Sequence, residues 1–267
     1  MSRPLLSIVT PVFNQARYIR QTIESVLDQK DDRIEYIVMD GGSTDGTAEI
    51  IREYEGRIDH WQSGPDGGQS NAIADGFSRA KGRYLAWING DDFYLPGVLG
   101  KVLEITGSNP GVKLIYGDYV VIGQDGLIEA KPKVSFDFDI CLYSYLMIPQ
   151  PSSFWSRELY FDAGGINTKF QFAFDWDLFL RMGRDCAADE ILHVHDLWSA
   201  FRLHDESKSV SAKARFREER GAIQGQFAEF KGGPWEPLLR RWHLLRVLRR
   251  FKEERGFIPV RKDSRKA

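Results

Sequence analysis

An α/β fold with a mostly parallel central sheet is predicted by two features of the sequence. Short apolar runs alternate with segments of helical periodicity through the first hundred residues, and several of those runs end on an acidic or glycine-rich turn. Strand and helix in strict alternation imply right-handed crossovers, which put helices on both faces of a parallel sheet. The length of 267 residues and the 42% hydrophobic content suit one large domain with a sizeable core.

Element by element, residues 5–10 read as a buried strand and 16–29 as a helix that buries Ile19, Ile23, Val26 and Leu27. Residues 34–40 form a second strand, and the turn Gly41-Gly42-Ser43 opens a helix over 44–54. A third, shorter strand at 58–62 leads to a helix over 69–80, and a fourth at 84–88 ends on Asn89-Gly90-Asp91-Asp92. Phe93-Tyr94-Leu95-Pro96 then starts a helix that continues near 99–106. Beyond residue 97 the pattern is mixed: short strands at 114–116, 119–122 and 127–130, helices at 157–163 and 175–183, and a last strand at 198–203. Two helices, 209–230 and 235–255, flank Gly232-Gly233-Pro234.

The net charge of −2 argues against a surface built for nucleic acid. That charge is uneven, since residues 238–267 carry 11 Lys/Arg against 3 Asp/Glu, a local +8 that leaves −10 on residues 1–237. The cysteines, Cys141 and Cys186, lack metal-ligand spacing and fit a reducing compartment. The apolar run after Met1-Ser2-Arg3-Pro4 is too short for a signal peptide, and no stretch reaches the ~20 apolar residues that span a bilayer. A cytoplasmic location is therefore expected, with residues 236–267 offering peripheral contact with the inner face of the membrane. There Leu238, Trp242, Leu245 and Leu248 share one helical face, with Arg240, Arg241, Arg246, Arg249 and Arg250 around it. Such a helix either lies on an anionic bilayer or docks on its own domain with a solvated basic rim.

Ligands of parallel α/β sheets bind at the carboxyl ends of the strands. Asp40 and Asp91 both sit at such ends, so both face one crevice. Carboxylates crowded into a tight turn repel unless a cation lies between them, and hard oxygen ligands suit Mg²⁺ or Mn²⁺ bridging phosphates. The same turn also suits a helix N-terminus, where Asp caps the first turn. Asp40 and Asp66 equally suit turn-forming roles that need no ligand. Trp155, Trp176 and Phe172 offer faces for a sugar, or core packing.

Three strings in order carry a resemblance: Ser7-Ile8-Val9-Thr10-Pro11-Val12-Phe13-Asn14, Val38-Met39-Asp40-Gly41-Gly42-Ser43-Thr44-Asp45-Gly46-Thr47, and Asn89-Gly90-Asp91-Asp92. With Phe174-Asp175-Trp176-Asp177-Leu178-Phe179-Leu180-Arg181 and Phe201-Arg202-Leu203-His204, the chain resembles family 2 glycosyltransferases over roughly residues 4–210. These are inverting enzymes of the GT-A fold, and the string from Asp40 to Thr47 resembles their O-antigen and capsule branch. The resemblance implies a GT-A domain at 1–210, with a nucleotide-binding half about 1–97 and an acceptor half about 98–210, before a basic helical extension at 211–267. It implies transfer of a sugar from a UDP-, GDP- or dTDP-sugar to a hydroxyl of a glycan or lipid-linked acceptor, in cell-surface polysaccharide synthesis.

By the same resemblance, Thr10, Pro11, Phe13 and Asn14 line the nucleotide pocket, with Asp40 and Asp66 on the base and ribose side. Asp91 holds Mg²⁺ or Mn²⁺, with Asn89 as a weaker neutral partner and His204 as a further candidate. Arg202 and Lys208 are candidates for the diphosphate. Asp175 matches the general base that takes the acceptor's proton, its alternative being an N-cap of its helix. Asp92 is a helix cap or supporting carboxylate, and Asp177 is structural. Three departures bear on this picture: Gly41 stands where many relatives have a uracil-reading Asp, Ile73 where the family has an Arg, and Asn89 where it has the first Asp of Asp-x-Asp. Among rival classes, a nucleotidyltransferase needs a Gly-rich loop with Arg and Lys near residue 10, and a dehydrogenase needs Gly-x-Gly-x-x-Gly; both are absent. A catalytically inactive sugar-nucleotide-binding protein is the remaining alternative, and the presence of both Asp91 and Asp175 argues against it.

Overall fold

The computed structural model describes residues 3–144, 146–204, 213–227 and 236–256. Its first half is β1 (Leu6–Val12), α1 (Ile19–Leu27), β2 (Ile34–Asp40), α2 (Thr47–Glu53), β3 (His60–Ser63), α3 (Gln69–Arg79) and β4 (Tyr84–Trp87). These four strands are parallel in the order β3-β2-β1-β4, as the alternation requires. Every residue of β1 is buried, so its period-2 alternation feeds two cores. Leu6, Ile8 and Val12 join Ile19, Ile23 and Val26 of α1, whereas Val9 joins Ala72, Ile73 and Phe77 of α3. Ile73 is therefore core, and no charge can stand at that position without disrupting packing.

The second half comprises β5 (Phe93–Tyr94), α4 (Val98–Ser108), β6 (Leu114–Gly123), β7 (Gly126–Lys131), α5 (Phe138–Tyr143), β8 (Ser153–Ser156), α6 (Arg157–Asp162), α7 (Phe174–Arg184) and β9 (Ile191–Arg202). Here the directions mix. β8 is antiparallel to both β4 and β6, β9 runs parallel to β6, β5 pairs antiparallel with β9, and β7 is a hairpin partner of β6. Two further helices follow, α8 (Lys213–Phe227) and α9 (Glu236–Arg255).

Several elements depart from the sequence expectation. Phe93-Tyr94 does not open a helix: it pairs with Ser199 and Ala200 of β9, and α4 begins only after Gly97. The acidic turn is consequently not a helix N-terminus. Residues 114–123 form one strand, running past Gly117, where a Cβ would lie 2.4 Å from the Trp198 ring. β9 starts at Ile191 rather than 198, because His193, His195 and Asp196 break the apolar pattern and register shifts bend its ladder beside Gly117 and Asp118. Ser153–Ser156, too short to show alternation, is a central strand.

The C-terminal helices share the main core. Ile223 of α8 and Val247 and Phe251 of α9 are buried in the same cluster as Trp155 and Trp176. Arg246 and Arg250 both reach Asp137, just before α5, and Arg255 reaches Asp118 of β6 at 2.5 Å. The docked face of α9 is not the expected one: Leu238, Trp242 and Leu245 point outward at 57%, 54% and 57% exposure. No helix among the described residues is long and apolar enough to cross a membrane.

Candidate active site

The loops after the parallel strands are knitted together at one edge. Val12 pairs with Asp40, and Asp40 with Ser63, so three strands end level. Gly41 N–H donates to Val12 C=O at 2.9 Å, Gly64 N–H to Asp40 C=O at 3.0 Å, and Gly90 N–H to Pro11 C=O at 3.2 Å. A Cβ on Gly90 would lie 2.7 Å from Val12 Cγ2, so only glycine lets the acidic turn approach β1 this closely.

On the nucleotide side the predicted residues divide by direction. Thr10 is fully buried, with its hydroxyl 3.0 Å from that of Tyr36, and Pro11 is buried beside it. Phe13 is the reverse, 58% exposed at the strand end, with its ring available to a base. Asn14 has φ +51°, the one non-glycine value in the left-handed region among the described residues, which Asn tolerates. Its N–H donates to Ser43 Oγ at 2.7 Å and its side-chain oxygen accepts from Thr44 N–H at 2.9 Å, so it ties the two loops together. Asp40 is 2% exposed, and its oxygens accept from Ser43 Oγ and Ser63 Oγ, each at 2.5 Å. That carboxylate organises the loops rather than projecting into the crevice. Asp66 holds its own turn through Gly68 N–H at 2.7 Å. Its second oxygen lies 2.9 Å from where a Cβ on Gly41 would stand, beside Phe13.

At the acidic turn, Asp91 and His204 come together, with His204 Nε2 3.0 Å from Asp91 Oδ2. The other oxygen of Asp91 makes no hydrogen bond among the described residues, and its side chain is 19% exposed. Asp92 is buried: it accepts from Arg202 N–H at 2.8 Å and Asn89 Nδ2 at 3.1 Å, and it braces the turn without capping a helix. Burial, then the neighbouring Asp91 charge, hold its carboxyl well above the usual range. The Asn89 side chain is fully engaged, its oxygen accepting from Gln69 at 2.8 Å and its nitrogen also donating to Gln150 at 3.1 Å. A ligand role for Asn89 would compete with the Gln69 bond. Arg202 Nε donates to the Asp91 carbonyl at 2.9 Å and Nη2 to Gln21 at 2.6 Å, with its guanidinium over the Tyr18 ring. Its charge is thereby placed directly behind Asp91. Lys208 lies outside the described residues.

A carboxylate with one oxygen unengaged among the described residues and an adjacent imidazole form a donor set that fits Mg²⁺ or Mn²⁺. Gln69 and Tyr18 gave no sequence signal, because their role appears only when distant segments meet at the turn; Gln150 lies in the segment 147–155, which the sequence alone placed beside the cleft.

Asp175 lies in the first turn of α7, one residue inside the helix, whose N-cap is Ala173. Its Oδ1 accepts the Trp176 N–H at 2.7 Å. Burial raises its pKa to about 6, opposed by backbone N–H donors and reinforced by the charge of Glu219. Glu219, on α8, accepts the N–H groups of Gln171, Phe172 and Ala173, each at 2.8 Å. These amides open the turn that carries Asp175, and a helix that follows more than forty residues later satisfies them. Gln171 also donates to Ser70 at 2.9 Å, fastening this turn to the start of α3 and hence to Gln69 and Asn89. Asp177 is fully buried against Arg181 at 2.6 Å, as a structural carboxylate. Trp155 and Trp176 are core; of the three aromatic candidates only Phe172 stays partly exposed.

A broad cavity of about 1170 Å³ lies at the opposite edge, among Arg3, Lys30, Asp32, Glu35, Asp59 and Lys81. Its charges neutralise one another, as in Lys30–Asp59 at 3.2 Å, and it has no part in the strand-end chemistry.

Solved structures define the class. The chain superposes on Staphylococcus aureus TarS 1–349 in complex with UDP-GlcNAc with a TM-score of 0.68 at 16% identity, covering 93% of this chain and 73% of that one. It spans only 43% of the longer TarS structure. The mannosyltransferase PcManGT from Pyrobaculum calidifontis, in complex with GDP-Man and Mn²⁺, gives 0.63 at 16% identity over 97% of this chain and 77% of that one. The fold is thus that of the GT-A glycosyltransferases. The family model for Glycosyl transferase family 2 matches residues 7–164, and the chain belongs to that family. It is 30% identical over 190 residues to the uncharacterized glycosyltransferase Rv1514c of Mycobacterium tuberculosis, covering 69% of this chain and 71% of the relative. It is 34% identical over 143 residues to TuaG of Bacillus subtilis, a putative teichuronic acid biosynthesis glycosyltransferase, covering 51% of this chain and 56% of TuaG.

Proposed function

We propose that this glycosyltransferase moves a sugar from a nucleoside-diphosphate donor to an acceptor hydroxyl with inversion at the anomeric carbon, in the synthesis of a cell-surface polysaccharide. The observation that carries the reading is the carboxylate Asp91 joined to His204 at the strand-end turn, with Asp175 on a helix whose preceding turn is fastened through Gln171 to the start of α3. Asp91 and His204 would hold a divalent cation, which offsets the charge that develops on the departing diphosphate. Arg202 keeps Asp91 in place, and Asn89 braces the turn. Phe13 stacks on the base, and Asp66 supplies a carboxylate in the space that Gly41 leaves open, so a base can be read there even though residue 41 has no side chain.

Asp175 takes the proton of the acceptor hydroxyl as its oxygen forms the new bond to the anomeric carbon and the nucleoside diphosphate leaves from the opposite face. A pKa near 6 leaves this carboxylate mostly ionised at neutral pH yet basic enough to accept that proton. A single displacement must give the opposite anomeric configuration, so the product's anomeric proton, followed by NMR, tests the mechanism: a retained configuration would sink it. Thermal shifts with UDP-, GDP- and dTDP-sugars plus Mn²⁺ or Mg²⁺ identify the donor, and a donor at a hundred times its Kd stabilises by roughly 2.7 kcal/mol.

The outward face of α9 supports a lipid-linked acceptor. Leu238, Trp242 and Leu245 are exposed on one stripe, with Arg241 and Arg249 exposed beside it. On this reading the helix lies docked and membrane-facing at once, its inner face in the core and its outer face on an anionic bilayer.

A further inference from the structure

A second cluster of metal-ligating side chains stands apart from the acidic turn. His193 and His195 lie on β9 at its register break beside Gly117, where their ring centroids are 4.5 Å apart. Glu254, near the end of α9, completes the group, and one ligand atom from each of the three lies within 4.8 Å of the others. Nine residues of the same strand separate His193 from Arg202, a distance of about 25–30 Å along an extended chain, so this cluster is not part of the donor site.

The orientation of His193 is the decisive feature. Its side chain is 3% exposed, and Nε2 lies 3.1 Å from Asp118 Oδ1. Asp118 is itself 2% exposed and also accepts from Lys133 N–H at 2.7 Å and Arg255 Nη2 at 2.5 Å. A carboxylate acceptor at Nε2 fixes the proton there, leaving Nδ1 with a bare lone pair. That Nδ1 is buried and has no hydrogen-bond partner among the described residues. A buried lone pair without a donor is costly, and a Lewis acid removes the cost. The carboxylate–imidazole pairing is the arrangement that orients a metal-binding histidine and strengthens it as a ligand. His195 is held towards its neutral form by desolvation, then by His193 and Arg255. Glu254 accepts from Ser135 N–H and Oγ through Oε2, while Oε1 has, among the described residues, Arg250 at 3.7 Å.

We propose that His193 Nδ1, His195 and Glu254 bind a zinc ion, with water in the fourth position, which clasps α9 to β9. Two imidazoles and one carboxylate favour zinc over Mg²⁺ or Mn²⁺, in contrast to the donor site. Tetrahedral zinc needs ligand atoms about 3.3 Å apart at Zn–N distances near 2.0–2.1 Å, so the cluster must tighten. His195 is exposed and its ring rests against His193, so a small swing brings it inward. Arg255 and Arg250 lie close by and temper the affinity, each already sharing an acidic partner, Asp118 and Asp137.

The test uses the purified full chain, stripped with chelator and titrated calorimetrically with zinc chloride in parallel with Asp91→Ala and His195→Ala. One zinc should bind at micromolar Kd or tighter to both the unsubstituted chain and Asp91→Ala, raising Tm by roughly 5 °C at saturating metal. His195→Ala, which removes an exposed side chain whose ring contact is with His193, should melt normally without zinc and bind zinc at least tenfold more weakly. Absence of zinc binding to the unsubstituted chain overturns the proposal, as does undiminished binding to His195→Ala. Loss of zinc binding in Asp91→Ala also overturns it, since the ion would then be at the donor site. Because the readouts are metal binding and melting, the proposal stands or falls separately from the catalytic reading.

Discussion

At the scale of single residues, the role proposed for Asp175 would tie catalysis and stability to one proton. Replacing it with Asn should lower kcat by about 10²–10⁴-fold while leaving the donor Kd within twofold, measured by steady-state kinetics beside calorimetry. The rate of the unsubstituted enzyme should fall about tenfold per pH unit below pH 6, and the residual rate of Asp175→Asn should lack that limb. Stability runs the other way. An acid raised from 3.8 to about 6 on folding favours its protonated form, a contribution fully present below pH 4 and lost as pH rises through 6. At pH 7.5 the ionised carboxylate then costs up to about 3 kcal/mol, so Asp175→Asn should melt several degrees higher there and no higher at pH 4. Equal Tm differences at both pH values would remove burial as the cause of the shift. Asp66 offers a narrower prediction. Asp66→Ala should weaken donor binding by roughly tenfold, about 1.4 kcal/mol, and erode discrimination among UDP, GDP and dTDP donors in competition assays.

At the scale of elements, Glu219 shows how a helix can act on chemistry it does not touch. Its carboxylate accepts three N–H groups at the mouth of α7, and Glu219→Gln should destabilise the protein by roughly 2 kcal/mol and lower kcat with little change in donor affinity. A chemical-denaturation series and initial rates would check both, and an unchanged kcat would show that the turn holds its shape alone. Nothing near Glu219 in the sequence announces this, since the bond joins residues 46–48 positions apart. The parallel half was legible by contrast, because each strand there is a continuous apolar run with its helix immediately after it. In the second half, β9 was hidden by His193, His195 and Asp196, and β8 by its length. At the acidic turn the sequence pointed to Asn89, Asp91 and His204, but not to how their side chains are partnered. Whether Asn89 faces a cation or Gln69 depends on a helix twenty residues upstream, and that no local spacing encodes.

For the whole molecule, the C-terminal helices are both core and surface. Removing residues 236–267 strips Val247 and Phe251 from the main core and leaves Asp137 without Arg246 and Arg250, so Tm should fall by on the order of 10 °C in a circular-dichroism melt. Such a truncation cannot test membrane binding, because it damages the fold. Trp242→Ser combined with Leu245→Ser changes only exposed positions; Tm should hold within 2 °C or so while flotation with phosphatidylglycerol vesicles is lost. Flotation that survives the double substitution would direct attention away from this face.

The bond from Glu219 to the start of α7 also has a consequence in time. A chain is made from its N-terminus at about 5–20 residues per second, and early segments can fold while later ones are still being added. The four parallel strands are complete by Trp87, long before the turn that carries Asp175 can find its anchor on α8. On the proposed reading, the strand ends that carry Phe13 and Asp66 are made first, Asp91 meets His204 only after β9 is added, and Asp175 is set last, once residue 219 has left the ribosome. An unfinished polypeptide would lack its proposed base however complete its first strands were.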